Sequence, residues 1–528
     1  MIARWLLALL LLATLSSPAR AMPPGVEGSM VHAAAAALEA LELEEAATRL
    51  RAIAPRYRGD PDVLRLRALL HLHRGQYAEA AESMERSIDA AAPRNRGDDR
   101  ESLLSLMRET RDATRGWARA SSPSGRFMIL HQPGPDALLV PYALEALSEI
   151  DTYLSAELGH RVPGPIRLEL HPDAASLARV SSLSEEAIAR TGTIALCKWD
   201  RLMVTSPRSL VQGYPWVDTI SHEYVHLVLA RATRDRAPVW LQEGIAKLLE
   251  RGWRGERPSA NLEPAVEAIL GAAIRDDRMI PFERLHPSIA LLPSQSDAAL
   301  AFAQVATFME GFRGAQGSAG LRRALTLVSE GRDAREALAE VAGERFESLE
   351  ASWRHALERR PTPAGPPPRL LERRLGAQSG DELSRVQAGD PRRHLRLGDL
   401  LWDRGRARAA AAEYARALQA DPHDPILHAR LARAALAGGE FARAAEALES
   451  MLARHPHHAP TRALMASARL GLGQLEAAHA QALEALRLNP FDPMPHCVLS
   501  QAAPAEPERE RERHTCLNLG GMIPGLRP

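Results

Sequence analysis

The chain has 528 residues, which is too long for one ordinary hydrophobic core and indicates roughly two to four domains. Lys plus Arg and Asp plus Glu each number 66, so the formal net charge is zero and gives no general reason to expect nucleic acid or an anionic membrane as a partner. The three cysteines exclude a disulfide-rich scaffold, although Cys497 and Cys516 are close enough in sequence to pair in an oxidising compartment.

The first 21 residues have the features of a signal peptide for export. Arg4 precedes an apolar run over 5–15, and Ala19-Arg20-Ala21 provides a small-x-small cleavage site. We therefore expect a protein that is exported, either periplasmic or secreted, with an uncleaved leader that acts as a single anchor as the alternative. No later stretch approaches the roughly 20 apolar residues of a membrane span, so no span is expected after the leader.

Residues 22–118 are predicted to form a tetratricopeptide-like helical domain. They are rich in alanine, leucine and charged residues, and small or aromatic residues within 61–93 resemble one such repeat in their spacing. These residues are Ala68, Gly75, Tyr77, Ala80 and Ser87. Residues 94–101 form a charged break, and 101–118 are predicted to be one more helix. Helix pairs of this kind cannot bury their faces alone, so they should stack on the segment that follows.

The texture of the sequence changes at Gly125, where strand patterns begin. Residues 126–131 and 166–171 alternate between apolar and polar like half-buried strands, and 143–158 between them has helical periodicity. Residues 191–205 are predicted to be a pair of strands. This region therefore combines a small sheet with helices.

The sequence His222-Glu-Tyr-Val-His226 carries the clearest chemistry. On a helix, His222 and His226 lie one turn apart on the same face, from which two imidazole nitrogens can reach one ion at about 2.0–2.1 Å. The spacing therefore predicts a zinc site with Glu223 as the general base for a bound water. Pro238 suits the first turn of a second helix, which makes Glu243 the candidate for the third ligand.

The whole run resembles the gluzincin zinc metallopeptidases, in particular the peptidase-MA-like group. In that group, HExxH is followed by a helix of the form W-L-x-E-G-x-A, which is present here as Trp240-Leu-Gln-Glu-Gly-Ile-Ala246. The resemblance covers roughly residues 123–358 and implies His222, His226 and Glu243 as metal ligands and Glu223 as the base. It also implies that the edge strand of a small sheet, near 191–197, holds the substrate backbone, with a sheet whose edge only packs as the alternative. A plain core helix lined by two histidines would not explain residues 240–246.

The sequence departs from the family pattern at two positions. Phe302 stands where family members often carry a tyrosine that steadies the developing oxyanion, and Phe302 has no donor. Lys247 stands one turn beyond Glu243, where related enzymes place a carboxylate that orients a ligand histidine. Other donors near the site could replace the tyrosine. The candidates are Tyr224, Tyr214, His286 and nearby arginines.

The remainder of this region is predicted to be helical up to about residue 360. The helices are expected at 298–309, 321–330, 334–341 and 346–359. Residues 361–390 then begin with Pro361-Thr-Pro-Ala-Gly-Pro-Pro-Pro368 and are expected to be an extended Pro-rich linker.

Residues 391–502 contain three consecutive repeats with a period of 34 residues that resemble tetratricopeptide repeats, followed by an incomplete cap at 493–501. The repeating small and turn positions are Gly398, Ala432 and Ala466; Gly405, Gly439 and Gly473; Ala410, Ala444 and Ala478; Ala417, Met451 and Ala485; and Pro422, Pro456 and Pro490. His455, His457 and His458 lie at a repeat junction, either as solvated turn residues or as a metal cluster. Residues 503–528 are expected to be a charged tail, in which 506–513 are either exposed helix or disorder.

Together these patterns predict a mostly α protein with an α+β gluzincin-like peptidase domain at 119–360 and tetratricopeptide-type α-solenoid modules on both sides. The first functional hypothesis is an exported Zn²⁺-dependent peptidase whose repeats recruit a protein substrate or partner. The second hypothesis is a repeat scaffold for envelope protein assembly, in which the peptidase-like domain is catalytically degenerate and only binds.

Overall fold

The computed structural model describes residues 26–522, apart from 92–97, 182, 211–212, 286–288, 290–291 and 361–391. The expected leader, part of the charged break and the Pro-rich linker therefore lie outside the described residues. The chain divides into two compact units. The first unit consists of Met1–Ser206, Thr219–Asn261 and Leu270–Arg360, and the second consists of Pro207–Asp218, Leu262–Ile269 and Pro361–Pro528.

The described chain is mostly helical, as the sequence predicted. Within the described residues, no helix combines the length and the apolar character that crossing a membrane requires.

Five helices open the first unit. They are α1 (Val26–Glu39), α2 (Leu43–Ala52), α3 (Pro61–His73), α4 (Tyr77–Ala90) and α5 (Asp98–Ala113). The Asp60 side chain caps α3 by accepting from the amides of Asp62 and Val63, and Gly75 takes φ 70° in the turn to α4. Ala68, Tyr77, Ala80 and Ser87 are buried between these helices, in agreement with their predicted positions.

The helix predicted at 101–118 is wrong at its end. It stops at Ala113, Gly116 takes φ 75°, and the chain continues as a strand that the sequence did not predict, β1 (Ala118–Ser121). Four residues with mixed polarity are too short a pattern to reveal a strand.

A five-stranded sheet follows, with the strand order β1-β2-β3-β5-β4. Its other strands are β2 (Phe127–His131), β3 (Ile166–His171), β4 (Ala195–Lys198) and β5 (Arg201–Thr205), all at predicted places. Strands β2, β3 and β5 are parallel, whereas β1 and β4 pair antiparallel at the two edges. The helices between and beside the strands are α6 (Leu139–Leu158), α7 (Ala174–Val180) and α8 (Glu185–Thr191).

The polar residues of β3 do not face solvent, which corrects the expectation of a half-buried strand. All six residues of β3 are buried. The Glu169 carboxylate accepts from the Tyr77 hydroxyl and lies 2.9 Å from Nη1 of Arg201, which also donates through Nη2 to the Val180 carbonyl at 2.7 Å. The alternation of β3 therefore arises from a buried charged network that joins the sheet to α4.

The two helices that carry the HExxH and W-L-x-E-G patterns follow the sheet, and further helices continue the chain to Glu358. They are α9 (Trp216–Ala232), α10 (Val239–Leu249), α11 (Pro264–Arg275), α12 (Gln295–Ser329), α13 (Ala334–Ala342) and α14 (Phe346–Glu358). Two predicted helices, 298–309 and 321–330, lie almost wholly in α12, which is interrupted at Gly317 with φ 65° and ψ −177°.

The described residues of the second unit form four helical hairpins. Their helices are α15 (Arg392–Asp403), α16 (Ala407–Ala420), α17 (Pro425–Ala437), α18 (Phe441–Arg454), α19 (Ala459–Gly471), α20 (Leu475–Leu486), α21 (Pro493–Ala502) and α22 (Glu506–Asn518). The three predicted turn glycines, Gly405, Gly439 and Gly473, take φ values of 71°, 75° and 73°. Only glycine adopts this conformation without a steric penalty, so the period in the sequence marks the turns of the hairpins.

Of the two possibilities for residues 506–513, exposed helix or disorder, the structure has the helix, which extends over 506–518 as α22. Helix α22 packs against α21, with a disulfide between Cys497 and Cys516 and a buried contact between His496 and Glu512. Helix α22 is rich in Arg and Glu, and its buried residues are Glu512 and Cys516, so its sequence does not reveal that it packs against α21. The fourth hairpin is therefore a complete cap on the repeats.

We expect Tyr77→Phe to lower the free energy of unfolding of the first unit by about 1–3 kcal/mol, because it removes the hydroxyl that donates to the buried Glu169 carboxylate. Native-state hydrogen exchange of the β3 amides measures this change. Tyr153→Phe is the control, since the Tyr153 hydroxyl is buried without a hydrogen-bond partner. Equal effects of the two substitutions would contradict a stabilising role for the Tyr77 hydroxyl.

The same network should make the first unit sensitive to acid. Burial raises the pKa of Glu169, but Arg201, His171 and Tyr77 outweigh burial and lower this pKa from 4.5 to about 2. Because the pKa is lower in the folded state, the stabilisation is present above pH 4.5 and is lost as the pH falls toward 2.

Glu169→Gln should therefore destabilise the first unit near neutral pH, because Arg201 loses its buried partner, and should reduce the dependence of stability on pH. Exchange of the β3 amides at about pH 6 and about pH 3 tests this expectation. An unchanged pH dependence in Glu169→Gln would show that other carboxylates cause the acid sensitivity.

Candidate metal centre

Three predicted ligand atoms converge at one point in the first unit. Nε2 of His222 lies 3.2 Å from Oε2 of Glu243, Nε2 of His226 lies 3.3 Å from the same oxygen, and the two Nε2 atoms are 3.2 Å apart. Three ligands at about 2.0–2.1 Å from a tetrahedral zinc ion are separated by about 3.3–3.4 Å. The three atoms therefore have nearly the spacing that one face of a zinc tetrahedron requires.

Helix packing explains why Glu243 reaches the two histidines. Helix α10 starts after Pro238, and its Trp240 ring stacks on Phe282 with centroids 5.1 Å apart. A Cβ atom on Gly244 would lie 2.7 Å from the carbonyl oxygen of Val305 in α12. Glycine at this position thus allows close contact between the two helices. The Trp and Gly of the W-L-x-E-G pattern orient α10, and Glu243 between them points to the histidines.

Each histidine is also contacted from its other side. Nδ1 of His222 lies 3.2 Å from Oε2 of Glu250, and Nδ1 of His226 lies 3.4 Å from Oε1 of Gln242. The Gln242 amide is held in turn, because its Nε2 donates to the Ala237 carbonyl at 2.7 Å. When Nδ1 carries the proton and donates to these oxygens, the Nε2 lone pair of each ring faces Glu243.

Because Lys247 occupies the position of the orienting carboxylate in related enzymes, the sequence predicts no such carboxylate for His222. This prediction is wrong, because Glu250 supplies the carboxylate. Glu250 follows Glu243 by seven residues, or about two helical turns, and so comes round to the same side. Lys247 donates to the other oxygen of Glu250 and thereby holds the carboxylate in place. A search for acidic residues seven positions after Glu243 would have found Glu250.

The electrostatics of the centre favour a cation. Burial disfavours the charged form of His222, but the hydrogen bonds that its ring donates to Glu243 and Glu250 outweigh burial and raise its pKa to about 10. Glu243 likewise raises the pKa of His226 against the effect of burial. Burial raises the pKa of Glu243, yet the two imidazoles hold it well below its ordinary range. A metal ion at this point would replace the imidazole protons, so its binding would release protons.

Glu223 lies beside the open edge of the sheet. It is buried, and this burial raises the pKa of its carboxyl group. The backbone N–H of Cys197 in β4 is close to this carboxyl group and favours its charged form, against the effect of burial. Lys198 and Arg201 flank a two-residue turn, and the Thr205 amide donates to the Ile194 carbonyl at 2.8 Å. Residues with even numbers in β4 therefore bond to β5, and the backbone of Cys197 faces outward.

The edge strand predicted near 191–197 is found at β4 (Ala195–Lys198), which pairs only with β5 among the described strands, whereas Thr191 ends helix α8. Cys197 is free, and burial raises the pKa of its thiol well above 9.0. A raised thiol pKa is typical of a structural cysteine rather than an activated one.

The alternative oxyanion donors have different outcomes. Phe302 is beside the site as expected, with its ring centroid 6.2 Å from that of His222. Tyr224 is a wrong candidate, because its hydroxyl donates to Oδ1 of Asp151 at 2.6 Å in the core. Tyr214 belongs to the second unit, and His286 lies outside the described residues.

The histidines at the repeat junction are neither solvated as a group nor gathered around a metal position. His455 and His458 are buried, and Nδ1 of His458 lies 2.6 Å from Oγ1 of Thr461. Nδ1 of His457 lies 2.8 Å from Oε1 of Glu263. Over the described ranges, His222, His226 and Glu243 are the one group of three or more such residues whose ligand atoms lie within 4.8 Å of one another.

Comparison with known proteins identifies the repeats. Residues 395–459 and 435–501 match family models described as tetratricopeptide repeat, so the predicted repeats are confirmed in this part of the chain. A search of curated proteins gives no match to this sequence.

Among solved structures, the chain is similar to a thermophilic TPR protein of Thermus thermophilus, with 28% identity, a TM-score of 0.23, and coverage of 25% of this chain and 74% of that chain. It is similar to MamA of Desulfovibrio magneticus at 21% identity, with a TM-score of 0.23 and coverage of 26% and 78%. It is also similar to native yeast LTA4 hydrolase at 11% identity, with a TM-score of 0.31 and coverage of 77% and 67%.

We expect Glu250→Ala to weaken zinc binding by roughly 10–100-fold, because His222 loses the carboxylate that orients its ring. Competition with a chromogenic chelator measures the affinity. Glu256→Ala is the matched control, since Glu256 pairs with Arg251 at 2.8 Å and is not a partner of either ligand histidine. Equal zinc affinities of the two variants would argue against an orienting role for Glu250.

Proposed function

We propose that residues 119–360 form a gluzincin-like zinc peptidase domain that hydrolyses peptide bonds. One observation carries the proposal: Nε2 of His222, Nε2 of His226 and Oε2 of Glu243 lie 3.2–3.3 Å apart, with a buried Glu223 beside an open sheet edge. Two neutral imidazoles and one carboxylate are the ligand set of zinc peptidases. A hydrolase needs a base and a peptide-binding edge next to such a site, and we propose Glu223 and β4 for these two roles.

The residues of the centre fit a zinc ion. His222, His226 and Glu243 would hold it, with Glu250 and Gln242 orienting the two rings. When bound, zinc supplies a Lewis acid that polarises the scissile carbonyl and lowers the pKa of a water molecule. Three protein ligands leave a fourth position for that water, which is the arrangement of catalytic rather than structural zinc sites.

Glu223 is the general base in this mechanism. It would take the proton of the attacking water and deliver that proton to the leaving amine. Its raised pKa brings the carboxylate closer to the range in which it can both accept and return a proton. The Cys197 N–H is close to the carboxylate, so Glu223 lies next to β4, where a bound peptide would run.

The open edge of β4 is suited to bind the substrate backbone. Strand addition provides main-chain hydrogen bonds that do not depend on side chains, and it would align an extended peptide along Ala195–Lys198. The outward N–H and carbonyl of Ala195 and the outward carbonyl of Cys197 are the donor and acceptors for this contact.

The tetratricopeptide repeats indicate a protein-interaction role for the second unit, because such repeats commonly bind proteins. In our proposal they recruit a protein substrate or a partner. Export from the cytoplasm is supported by the leader pattern of residues 1–21 and by the disulfide between Cys497 and Cys516, since disulfides persist in oxidising compartments.

Phe302 favours a second candidate, a scaffold in which the peptidase-like domain binds without catalysis. Phe302 contacts the edge of His222 but has no hydrogen-bond donor for a developing oxyanion. Removing one such donor from known enzymes costs about 2.7–4 kcal/mol in the barrier. In this case the repeats would be the functional part of the chain.

We expect the purified protein to hold about one zinc ion per chain. Glu223→Gln should keep the metal and lose hydrolysis, because its amide cannot accept the proton of the water, and His222→Ala should lose both. Metal analysis and cleavage of a quenched fluorescent peptide mixture provide the measurements.

Undiminished cleavage in Glu223→Gln would disprove the proposed mechanism. A protein without zinc that still captures partners through 391–502 would instead favour the scaffold. Peptide cleavage at the wild-type rate by His222→Ala, purified in the same way, would reveal a contaminating protease.

A further inference from the structure

The turn between β4 and β5 has an unusual backbone. Its two central residues, Trp199 and Asp200, both take positive φ values of 53° and 54°. Two-residue hairpins commonly use this conformation, but with glycine or asparagine, because a bulky side chain such as Trp is strained there. Contacts outside the turn must therefore stabilise it.

The Asp200 carboxylate joins three elements of the first unit. Its Oδ2 lies 3.2 Å from Nδ1 of His73, the last residue of α3. Its Oδ1 lies 3.0 Å from Nε and 2.9 Å from Nη2 of Arg231, in the last turn of α9. All three side chains are at most 14% exposed, so these contacts are protected from solvent and from salt.

The turn backbone is held by the same helix end. Nη2 of Arg167 in β3 donates to the His73 carbonyl at 2.6 Å and to the Trp199 carbonyl at 3.2 Å. A Cβ atom on Gly75 would lie 1.6 Å from Nη1 of Arg167, so the Arg167 side chain reaches these carbonyls only because residue 75 is glycine. The Trp199 ring packs against the apolar core of α3 and α4.

We propose that His73, Asp200 and Arg231 form a positioning cluster that fixes the edge strand of the candidate peptidase against the metal helix. The cluster connects the N-terminal helices, the tip of the β4–β5 hairpin and α9. It keeps β4 next to Glu223 and presents the open edge of β4 to a peptide. The N-terminal helices are therefore part of the substrate-binding structure rather than a separate recruitment module.

The inference deepens the proposed function and rests on it for the effect on hydrolysis. The effect on the strand itself does not depend on catalysis. Two measurements therefore separate the two ideas: hydrogen exchange of the β4 amides, and kcat and KM for a quenched fluorescent peptide mixture.

Asp200→Asn tests the charge alone, because asparagine tolerates positive φ and has almost the same shape. His73→Ala tests the link to α3. Arg74→Ala is the matched control: it alters the neighbouring residue, which pairs with Glu44 at 2.6 Å and is not a partner of Asp200.

For Asp200→Asn and His73→Ala, we expect exchange of the β4 amides to accelerate and KM to rise roughly tenfold, while kcat changes less than about threefold. Zinc content should stay at the wild-type level, which shows that the metal helices remain intact. The double variant His73→Ala/Asp200→Asn should be no worse than Asp200→Asn by itself, because His73 acts through Asp200. Arg74→Ala should match the wild type in both measurements.

Exchange of the β4 amides at the Arg74→Ala rate in both variants would overturn the cluster, whether or not the protein hydrolyses peptides. Faster exchange with an unchanged KM would overturn its role in substrate binding. If the wild type binds zinc but Glu223→Gln cleaves equally well, the proposed function fails, and the exchange measurement still decides whether His73 and Asp200 hold the strand.

Discussion

The contact of the Glu243 carboxylate with His222 and His226 is the interaction on which the candidate centre depends. A buried carboxylate requires positive charge nearby, and the two imidazoles supply it either as protonated rings or together with a metal ion. The packing of Gly244 on α12 brings this carboxylate to the histidines, and Glu250 orients the first ring. These contacts give physical grounds for cation binding at this centre, in addition to the match of the sequence to the HExxH motif.

Buried polar contacts join the N-terminal helices to the sheet, so the role of these helices differs from that of an independent repeat module. Tyr77 of α4 donates to Glu169 in the middle of the sheet, and His73 of α3 contacts the turn that precedes Arg201. These helices and the sheet belong to one compact unit. The repeat-like pattern of 61–93 therefore predicts the pairing of α3 and α4 correctly. The tertiary contacts show in addition that this helix pair supports the sheet.

In the second unit, a sequence period predicts three hairpins, whereas side-chain contacts close the fourth. Its 34-residue period predicts three hairpins from sequence, because each turn needs glycine and each close helix contact needs a small residue. The capping hairpin lacks that period and is closed instead by the disulfide between Cys497 and Cys516 and by the contact of His496 with Glu512. A polar cap of this kind is what a solenoid end requires in water.

The sequence by itself determined the elements whose information is local: the one-turn spacing of His222 and His226, the helix that carries Glu243, the strands β2 to β5 and the repeat period. The tertiary structure alone decided which distant side chains meet. Glu250 at His222, Asp200 between His73 and Arg231, and the buried polar face of β3 all depend on how helices pack onto the sheet. Helical and strand periodicities repeat within a few residues and can be read directly, whereas the partner of a buried charge is set by packing between segments far apart in the chain.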